Sequence, residues 1–415
     1  MPVKILRVIA SVNPERGGPI EGIKQLAEAL RGLGVEVEVA SLDLPDAQWV
    51  LDFPLKVHAL GPTRAPALGR GWREYGYAPR LVTWLRTNAP HYDAVIVSGV
   101  WQFHSFATWL ALRGRPTPYF VYPHGMLDPW FRRNYPLKHI KKWLYWPWAE
   151  YRVLRDAKAV LFTCEEERLL ARESFWLYRC RELVVGYGTS APAGDPDVQC
   201  GLFLNRFPEL RGKKLLLFLG RIHEKKGCDL LVSAFARVAG RDEKLHLVMA
   251  GPDHHGLGEQ LAAQAASMGI GHRITWTGML AGDLKNGALR TAQAMVLPSH
   301  QENFGISVVE SLACGIPVLV SKEVNIWREI EADGAGIVGD DTLEGIEAML
   351  RRWVELPEDT RKTMAANALA CFHAHFTIDV VAEDIVRVVY GTSAPSQAGF
   401  QTPGRKRERS SISLL

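Results

Sequence analysis

Two glutamates eight positions apart, Glu302 and Glu310, are residues that can bind a polar ligand. They belong to segment 297–321, which reads LPSHQENFGISVVESLACGIPVLVS. The pattern predicts a strand that ends at Pro298 and, after a polar loop, a helix that begins around Gly305. The first amides of a helix have no intrahelical partner and attract anions. One carboxylate therefore precedes the helix and the other lies inside it, so both can contact one ligand at separate points, such as a sugar and a ribose diol.

Each of these carboxylates also has an ordinary explanation to consider. An acidic side chain at a helix start caps free amides and interacts favourably with the helix dipole, which would account for Glu302. Glu310 falls among Val308, Val309 and Leu312, and a carboxylate in apolar surroundings has to find a polar partner. The capping explanation therefore covers Glu302 but leaves Glu310 unexplained.

A pair of cations follows another expected strand. Residues 215–219 are a continuous apolar run that leads into Arg221, and Lys226 follows in the loop GRIHEKKG. Strand ends of an open α/β sheet point towards its ligand crevice, so Arg221 and Lys226 are suited to hold a diphosphate through charge-assisted hydrogen bonds. A basic loop is also common on an ordinary solvated surface, so the pair alone does not define a site.

The elements that position these residues alternate between strand and helix in both halves of the chain. A chain of 415 residues exceeds what one compact core usually holds. Strand–helix–strand successions imply parallel sheets with right-handed crossovers. The predicted fold class is therefore α/β, with two Rossmann-like doubly wound domains that face each other across a cleft. Their expected bounds are 1–190 and 191–372, with a terminal helix at 373–390, a disordered tail at 391–415 and a Gly-, Pro- and Ser-rich linker within 186–200.

Apolar runs and helical periodicity place the individual elements. The expected strands are 5–10, 35–41, 94–98, 119–122, 159–163, 215–219, 245–250, 274–277, 294–297 and 317–320. The expected helices are about 20–30, 228–238, 259–268, 306–314, 343–354 and 379–390.

The composition describes a folded globular chain and disfavours several classes of protein. Hydrophobic residues make up 47% and the mean hydropathy is −0.05, unlike a disordered polar tract. No uncharged run approaches the ~20 residues that span a bilayer, and no cleavage-type segment follows the start, so we expect a cytoplasmic protein. Six scattered cysteines without a C-x-x-C pair suggest neither disulfides nor a zinc cluster. No metal site is expected either, because His254-His255 lacks a third ligand and Asp195-Pro196-Asp197 suits a turn.

Four separated features of the sequence point to one family: Gly17-Gly18-Pro19 after the first strand, His124-Gly125 in YPHGMLDPW, Arg221 with Lys226, and the E-x7-E spacing of Glu302 and Glu310. With these features the chain resembles the group 1 (family four) retaining glycosyltransferases of the GT-B fold. A terminal helix also fits, because members of this family commonly return their last helix to the amino-terminal domain. One departure from that family is the linker, which reads Gly186-Tyr187-Gly188 where relatives often carry Asn-Gly.

The resemblance implies a role for each of these residues. Arg221 and Lys226 would bind the diphosphate of a nucleotide-sugar donor, and Gly17 and Gly18 would let backbone amides approach it from the opposite domain. Glu310 would accept hydrogen bonds from the ribose hydroxyls. His124 would lie beside the anomeric carbon, although a histidine in a loop after a strand also has an ordinary structural explanation. The donor sugar would be held by Glu302, Asn303 and the amides of Phe304, Gly305 and Ile306.

The family's chemistry implies how transfer would proceed. Retention is usually explained by a front-face displacement without a protein nucleophile, in which the departing diphosphate takes the acceptor proton. Cations around the leaving group would then be the main catalytic device, and neither a metal nor another cofactor is expected. Asp128 is a looser candidate for acceptor contact, with a turn or helix-cap role before Pro129 as the alternative. The nucleobase would lie near residues 277–280, mostly against backbone.

The net charge of +4 is unevenly distributed along the chain. Residues 391–415 carry a net charge of +3 and segment 129–158 a net charge of +6, so the rest of the chain carries −5.

Segment 129–158 combines its cations with tryptophans. Tryptophan together with lysine suits the headgroup layer of an anionic membrane, where each cation contributes about 1 kcal/mol. Stacking on nucleic acid uses the same residue types, and an ordinary helix with its tryptophans in the core is the plain alternative. We predict peripheral contact of segment 129–158 with the inner face of the plasma membrane and expect no nucleic acid. Its tryptophans are Trp130, Trp143, Trp146 and Trp148.

The favoured hypothesis is a retaining glycosyltransferase that moves a sugar from a UDP- or GDP-sugar to a glycan or lipid-linked saccharide in surface polysaccharide synthesis. A GT-B-fold nucleotide-sugar epimerase would share the fold and the diphosphate site but would need no acceptor. A non-catalytic membrane- or nucleic-acid-associated protein is suggested by the basic segments alone, and it predicts salt-sensitive binding to polyanions. An NAD-dependent dehydrogenase fits less well, because no G-x-G-x-x-G follows the first strand.

Overall fold

A computed structural model describes residues 3–14, 18–62, 75–134, 136–253 and 256–391. Within these ranges the chain forms two α/β domains, each built on one parallel sheet, and this confirms the predicted fold class. Three features singled out from the sequence lie outside the described residues: Gly17, the pair His254-His255, and the tail after residue 391.

In the described part of the first domain, seven strands form one parallel sheet. They are β1 (Val3–Ile9), β2 (Val35–Ser41), β3 (Val57–Ala59), β4 (Ala94–Ser98), β5 (Tyr119–Tyr122), β6 (Ala159–Phe162) and β7 (Glu182–Val184). Their order is β3-β2-β1-β4-β5-β6-β7, so the direction of winding reverses between β1 and β4. The central strands are continuous apolar runs such as AVIVS in β4, because helices cover both faces of a parallel sheet.

Helices cover both faces of this sheet. α1 packs against the face that carries Ile5, whereas α3, α4 and α7 pack against the face that carries Leu6 and Val8. The helices of the first domain are α1 (Gly18–Gly32), α2 (Gln48–Leu51), α3 (Pro79–Asn88), α4 (Phe103–Leu112), α5 (Trp130–Asn134), α6 (Pro136–Tyr145), α7 (Glu150–Asp156) and α8 (Glu165–Ala171).

The second domain repeats the same architecture over a six-stranded parallel sheet, counted within the described ranges. Its strands are β8 (Lys214–Leu219), β9 (Leu245–Ala250), β10 (Ile274–Gly278), β11 (Ala294–Leu297), β12 (Val318–Ser321) and β13 (Gly336–Gly339), in the order β10-β9-β8-β11-β12-β13. The helices are α9 (Pro196–Arg206), α10 (Cys228–Val238), α11 (Leu257–Ser267), α12 (Gly282–Thr291), α13 (Ile306–Ala313), α14 (Trp327–Ala332), α15 (Leu343–Glu355), α16 (Glu358–His375) and α17 (Ile378–Tyr390). Among the described residues, no helix is both long and apolar enough to cross a membrane.

The topology of the second sheet places the candidate residues together. Winding reverses between β8 and β11, which are neighbours in the sheet. Arg221 follows β8, and the loop with Glu302 follows β11. Ligands of doubly wound sheets bind outside the carboxyl ends of the strands at such a reversal. Two segments far apart in sequence therefore meet at the position where this fold forms a crevice.

The last helix, α17, returns to the first domain, as expected. Ile378, Val381 and Ile385 are buried in one apolar cluster with Leu26 and Leu30 of α1. This packing makes the carboxyl end of the chain part of the first domain's core.

The chain thus crosses between the domains twice, and the two crossings are hydrogen-bonded to each other. The Thr189 N–H donates to the Phe376 carbonyl (3.0 Å), and the Ile378 N–H donates to the Thr189 carbonyl (3.2 Å). A Cβ on Gly188 would lie 2.7 Å from the Phe376 carbonyl oxygen, so glycine is needed for this close approach. The two crossing segments therefore form one paired hinge.

The structure contains edge strands that the sequence did not reveal. β3, β7 and β13 lie at sheet edges and have three or four residues each. Edge strands are commonly short, and these are largely half-buried, so they lack the long apolar run that identifies a central strand. All ten strands that the sequence predicted are found within two residues of their predicted bounds.

Two helices, α9 and α16, extend into regions where the sequence predicted a linker and a domain boundary. The linker expected within 186–200 ends at Asp195, whose carboxylate caps α9 by accepting a hydrogen bond from the Asp197 N–H (2.8 Å). The Asp195-Pro196-Asp197 turn is thus a helix start with proline in its first turn. α16 was not expected, and it continues to His375, three residues beyond the predicted boundary at 372.

A buried carboxylate supports the turn that follows β4. Glu150 is fully buried and accepts hydrogen bonds from the Trp101 N–H (2.7 Å) and the Ser105 hydroxyl (2.8 Å). Trp101 has φ 74°, a left-handed conformation that is strained for tryptophan. The second oxygen, Oε2, has no hydrogen-bond partner within the described part of the chain. Burial accordingly raises the pKa of Glu150 to about 7.

We predict that Glu150→Gln stabilises the protein at pH 8 more than at pH 5. A carboxyl group whose pKa is raised on folding costs stability above its unfolded-state pKa, and this cost grows as the pH rises towards about 7. Glutamine keeps an oxygen to accept both hydrogen bonds and never ionises. Thermal unfolding at both pH values measures the effect, with roughly 2–4 °C expected for each kcal/mol recovered. Glu28→Gln, at an exposed position of α1, is the control. An equal shift for Glu150→Gln at both pH values would contradict the assignment.

Candidate active site in the interdomain cleft

The loop that carries Glu302 is fixed to its neighbouring segment. The Glu302 N–H donates to the Glu323 carbonyl (2.8 Å), and the Glu302 carbonyl accepts from the Asn325 N–H (3.0 Å). Gly305 is the N-cap of α13 and has φ 75°, which favours glycine. The first amides of α13 therefore lie at the same edge of the sheet as Arg221.

Lys226 and Glu302 form a direct ion pair between the two segments. Both side chains are mostly buried, with 15% and 20% exposed. The turn Glu224–Lys226 packs closely on the end of β11 because Gly227 has φ 64°, and a Cβ there would collide with the Pro298 carbonyl. The structure thus brings together two residues that the sequence predicted as parts of one site.

A cluster of cations surrounds this ion pair. Burial and the positive charges of Lys225 and Arg221 lower the pKa of Lys226 to about 7, whereas contact with Glu302 favours its charged form. Burial also lowers the pKa of Lys225, which the charge of Asp128 opposes. Arg221 is exposed, and no carboxylate within the described ranges forms an ion pair with it. The three cations exceed the two nearby carboxylates, so the cluster is suited to an anion.

Glu310 has the polar partner that its apolar surroundings require. The Lys285 Nζ of α12 lies 2.7 Å from Glu310 Oε1, and the Glu310 side chain is 16% exposed. Reasoning from the sequence did not identify Lys285, because a single lysine near a helix start carries no motif. A carboxylate with one lysine partner keeps acceptor sites for hydroxyl donors. The ion pair therefore explains how Glu310 is tolerated and leaves it able to bind a diol.

His124 is half-buried, and one of its ring nitrogens is inaccessible to solvent. Its ring stacks on Tyr122 (centroids 5.3 Å apart, 12° between planes) and meets the edge of Tyr187 (5.8 Å). Nε2 has no hydrogen-bond partner among the residues that the structure describes. Burial and the charge of Arg7 lower the pKa of His124 to about 3, so the imidazole is neutral at neutral pH. A neutral imidazole can exchange a hydrogen bond with a sugar hydroxyl, but it brings no charge to the site.

The turn at His124 closely approaches the second domain. His124 has φ 50° and Gly125 has φ 73°. A Cβ on Gly125 would lie 2.6 Å from the Asn303 Cβ, so glycine is required for this contact. The Asn303 Nδ2 also donates to the Thr163 hydroxyl at the end of β6 (3.2 Å). The cleft thus brings together His124-Gly125 and Asn303, which the sequence placed in different domains.

Asp128 makes the turn-type contact considered for it and also bonds across the cleft, where contact with an acceptor stays a prediction. Its Oδ1 accepts a hydrogen bond from the Trp130 N–H at the start of α5 (2.8 Å), which is the turn-type contact. Its Oδ2 accepts from the Gln301 side chain of the second domain (2.8 Å), which places it in the cleft. The Lys225 ammonium lies 5.3 Å from the centre of the Trp130 ring. Gln301 and Lys225 are contacts that sequence reasoning missed, since neither belongs to a motif.

The side chains of Phe304 and Ile306, whose backbone amides are predicted to hold the donor sugar, differ in their surroundings. Phe304 is buried, and its ring contacts those of Tyr187 (5.2 Å) and Phe376 (5.8 Å), so its side chain belongs to the packing at the hinge. Ile306 is the first residue of α13 and is exposed. Gly18 begins α1 after β1, at the carboxyl edge of the first sheet.

A cavity of about 370 Å³ is lined in part by Ile222, the residue that follows Arg221. It lies beyond the ends of β8, β9 and β10, and it includes the predicted strand-end turn through Gly278. Apolar surface with a few acidic groups suits a flat, partly polar ligand. The lining includes Ile222, Met249, Asp253, Glu259 and Trp276.

Comparison with known sequences identifies the relatives of the chain. Residues 204–370 match the family described as Glycosyl transferases group 1, and residues 17–188 match the Glycosyl transferase 4-like domain. The chain is 30% identical over 388 residues to the D-inositol 3-phosphate glycosyltransferase of Streptosporangium roseum, covering 86% of this chain and 84% of that protein. It is 26% identical over 181 residues to an uncharacterized glycosyltransferase of Methanocaldococcus jannaschii, a match that spans 42% of this chain and only 44% of that relative.

Comparison with solved structures supports the same architecture. The Anabaena protein HepE in complex with UDP superposes with a TM-score of 0.74 at 17% identity, covering 94% of this chain and all of that one. The likeness in structure concerns the fold, and the sequence matches concern the family. The chain therefore belongs to the group 1 glycosyltransferases and has the two-domain GT-B fold.

Proposed function

We propose that this glycosyltransferase takes its sugar from a UDP- or GDP-sugar and transfers it, with retention of anomeric configuration, to a glycan or lipid-linked saccharide in surface polysaccharide synthesis. The observation that carries the proposal is the excess positive charge of Arg221, Lys225 and Lys226 at the carboxyl edge of β8. This cluster lies beside the first amides of α13, and together they match the charge of a diphosphate. HepE, which shares the fold, has been solved with UDP and with UDP-glucose.

Binding of the donor would give Lys226 and Glu302 new partners in place of each other. The diphosphate would replace Glu302 as the counter-ion of Lys226, and Arg221 would contribute a second, exposed guanidinium. Glu302 would then be released to accept hydrogen bonds from the donor sugar. The site would thereby remain neutralised in both states, because each buried charge always has a partner.

The nucleoside would extend from the diphosphate towards the cavity beside Ile222 and Trp276. The ribose hydroxyls would donate to Glu310, which Lys285 holds in place. Asp253 and Glu259 are acidic groups at the cavity that can accept from base N–H groups.

The reaction would need no nucleophile from the protein and no metal ion. The bond between the anomeric carbon and the donor phosphate oxygen breaks, and the acceptor oxygen bonds to the same face of that carbon. The departing phosphate oxygen takes the acceptor proton, so protons and charge balance. Arg221 and Lys226 stabilise the charge that develops on the leaving group, which is commonly a large catalytic contribution. His124, being neutral, orients sugar hydroxyls.

The acceptor would be brought to the first domain by an exposed apolar face of α6. Leu137, Ile140 and Leu144 are 78%, 55% and 61% exposed, and their spacing puts them on one side of the helix. Trp148 is 70% exposed beside the guanidinium of Arg152. Apolar side chains flanked by cations are suited to the surface of an anionic membrane. We therefore propose peripheral membrane contact through this face, which we call the α6 face.

Not every tryptophan of segment 129–158 takes part in the α6 face. Trp146 is fully buried and stacks on Phe175 at 4.6 Å, as the ordinary structural explanation requires. Trp143 is 46% exposed and contacts the half-exposed Trp176. The segment is therefore anchored by one tryptophan and presents others to the outside.

Nucleotide binding is the first test of the proposed function. UDP or GDP should raise the apparent melting temperature, because a ligand at 100 times its Kd stabilises the folded state by about 2.7 kcal/mol. A panel of UDP- and GDP-sugars then identifies the donor, and NMR of the product reports its anomeric configuration. The absence of a shift with both nucleotides at millimolar concentration would contradict a nucleotide-sugar donor.

Arg221→Ala and Lys226→Ala should each lower kcat by about 100- to 1,000-fold, the usual cost of removing one group that stabilises transition-state charge. Initial rates of nucleotide release from the identified donor measure this effect. Lys362→Ala is the matched control, because Lys362 is an exposed lysine of α16 paired with Glu358. Wild-type turnover in both cleft variants would eliminate the diphosphate assignment.

The α6 face should bind vesicles of phosphatidylglycerol at low salt and release them at high salt, since screening weakens its cations. Flotation should show binding by the wild type and reduced binding by Leu144→Ser and Trp148→Ser. Leu51→Ser removes an equally exposed leucine from α2 and serves as the control. A wild-type protein that stays unbound at low salt would rule out membrane docking.

A further inference from the structure

Glu167 of α8 is a buried carboxylate beside the candidate site. It is 3% exposed and receives three hydrogen bonds. Its Oε2 accepts from the Thr163 N–H (2.7 Å) and the Thr163 hydroxyl (2.6 Å). Its Oε1 accepts from the Gly125 N–H (2.5 Å), 42 residues away in sequence. The two oxygens of Glu167 thus join the ends of β5 and β6.

The contact with Gly125 acts on the turn that orients His124. His124 and Gly125 both have positive φ values, of 50° and 73°. A left-handed conformation is unfavourable for a non-glycine residue, so the turn at His124 persists only where its surroundings hold it. The bond from Gly125 N–H to Glu167 Oε1 is such a restraint, because it fixes the amide next to the strained residue.

The same network reaches across the cleft. The Thr163 hydroxyl donates to Glu167 and accepts a hydrogen bond from the Asn303 side chain (3.2 Å). Asn303 belongs to the loop that also carries Glu302. A continuous chain of hydrogen bonds therefore links the His124 turn, through Glu167 and Thr163, to the donor side of the cleft.

We propose that Glu167 is a positioning residue of the transfer reaction: it holds the left-handed His124 turn so that His124 Nε2 faces the donor sugar, and through Thr163 and Asn303 it ties this turn to the loop that carries Glu302. The inference rests on the proposed function, and it adds a residue that contacts neither substrate.

A purely local role does not account for the geometry of Glu167. Capping of α8 involves Cys164, whose Sγ accepts from the Glu167 N–H (3.4 Å), and Oε2, which bonds to Thr163. Neither contact uses Oε1 or requires the carboxylate to be buried. Burial raises the pKa of Glu167, and hydrogen bonds from Thr163 and Gly125 oppose this effect. The cost of burying a charge is therefore offset in part by the very contact that restrains the His124 turn.

Three variants test the proposal: Glu167→Ala removes the restraint, Glu167→Gln keeps an acceptor for Gly125, and Thr163→Val removes only the hydroxyl that bridges to Asn303. Glu167→Ala should lower kcat by about 10- to 100-fold, as expected when a reacting group is misplaced by about 1 Å. The Kd for UDP or GDP should change by less than about two-fold, because Arg221 and Lys226 are untouched. Glu167→Gln should recover part of the lost rate, and Thr163→Val should cause a smaller loss.

Glu150→Gln is the matched control. Glu150 is the other glutamate in the described part of the first domain that is buried and accepts a backbone N–H from a left-handed turn, but it supports Trp101 rather than His124. Its kcat should stay within about two-fold of the wild type. An equal loss in Glu150→Gln and Glu167→Gln would show a general effect of buried carboxylates and overturn the proposal.

A second measurement needs no substrate. NMR titration of the histidine rings, with His124→Asn to assign the signal, should show His124 neutral down to about pH 4 in the wild type, in line with a pKa of about 3. In Glu167→Ala the turn should relax and the pKa should rise towards the ordinary value of about 6.5. An unchanged His124 titration together with wild-type kcat would overturn the proposal. If thermal scans show that Glu167→Ala is unfolded, then kcat and the His124 titration are measured in Glu167→Gln and Thr163→Val, and these two variants decide whether Glu167 positions His124.

The two measurements separate this inference from the proposed function. A wild-type protein that binds neither UDP nor GDP contradicts the donor assignment, while the histidine titration still tests the link between Glu167 and His124. A wild-type protein that binds nucleotide and turns over, with Glu167→Ala equally active, contradicts the role of Glu167 alone.

Discussion

Two carboxylates can lie largely out of water in the second domain because each forms an ion pair with a lysine from a different element. Glu302 precedes α13 and pairs with Lys226 after β8, and Glu310 lies inside α13 and pairs with Lys285 of α12. Without these lysines, both carboxylates would carry the cost of leaving water uncompensated. The pairs therefore join the loop before α13 to the turn after β8, and the interior of α13 to α12, so that charged groups from separate elements meet in the second domain.

Parallel topology creates the conditions for this pairing. Because β8 and β11 are neighbours on either side of the reversal of winding, the segments that follow them leave the sheet side by side. Glycines then allow the close approaches: Gly227 lets the lysine turn touch Pro298, and Gly125 lets the His124 turn touch Asn303. A side chain at either position would move one half of the site away from the other. The geometry of the cleft thus depends on these two glycines as well as on the charged residues.

The sequence permitted prediction of the features that rest on local patterns. Central strands such as β4 and β9 are long apolar runs and were placed at their observed bounds, whereas β3, β7 and β13 are short edge strands without such a run. Arg221 and Glu302 could be assigned to one site because residues after parallel strands meet at one edge. The partners Lys285, Gln301 and Glu167 could not be found, since each acts through a contact between distant residues that leaves no periodic or motif signal. Phe304 was predicted to act through its backbone amide, and the packing of its ring against Tyr187 and Phe376 could not be foreseen because those residues are distant in sequence.

The basic, aromatic segment 129–158 connects the cleft to the outside of the first domain. At its start, Trp130 lies beneath the ammonium of Lys225 in the cleft. In its middle, Trp146 is fully buried and fixes the segment to the core, and just beyond it Trp148 is mostly exposed. Within this one segment, Trp130 contacts a cation in the cleft, Trp146 is buried in the core and Trp148 is exposed at the surface. An acceptor held at the α6 face by its apolar part would have its polar end directed along this segment towards Asp128 and the cations of the second domain. Under the proposed function, the cations near α6 would suit an anionic surface, whereas Lys225 of the second domain, which contacts Trp130 at the start of the segment, would suit the donor diphosphate.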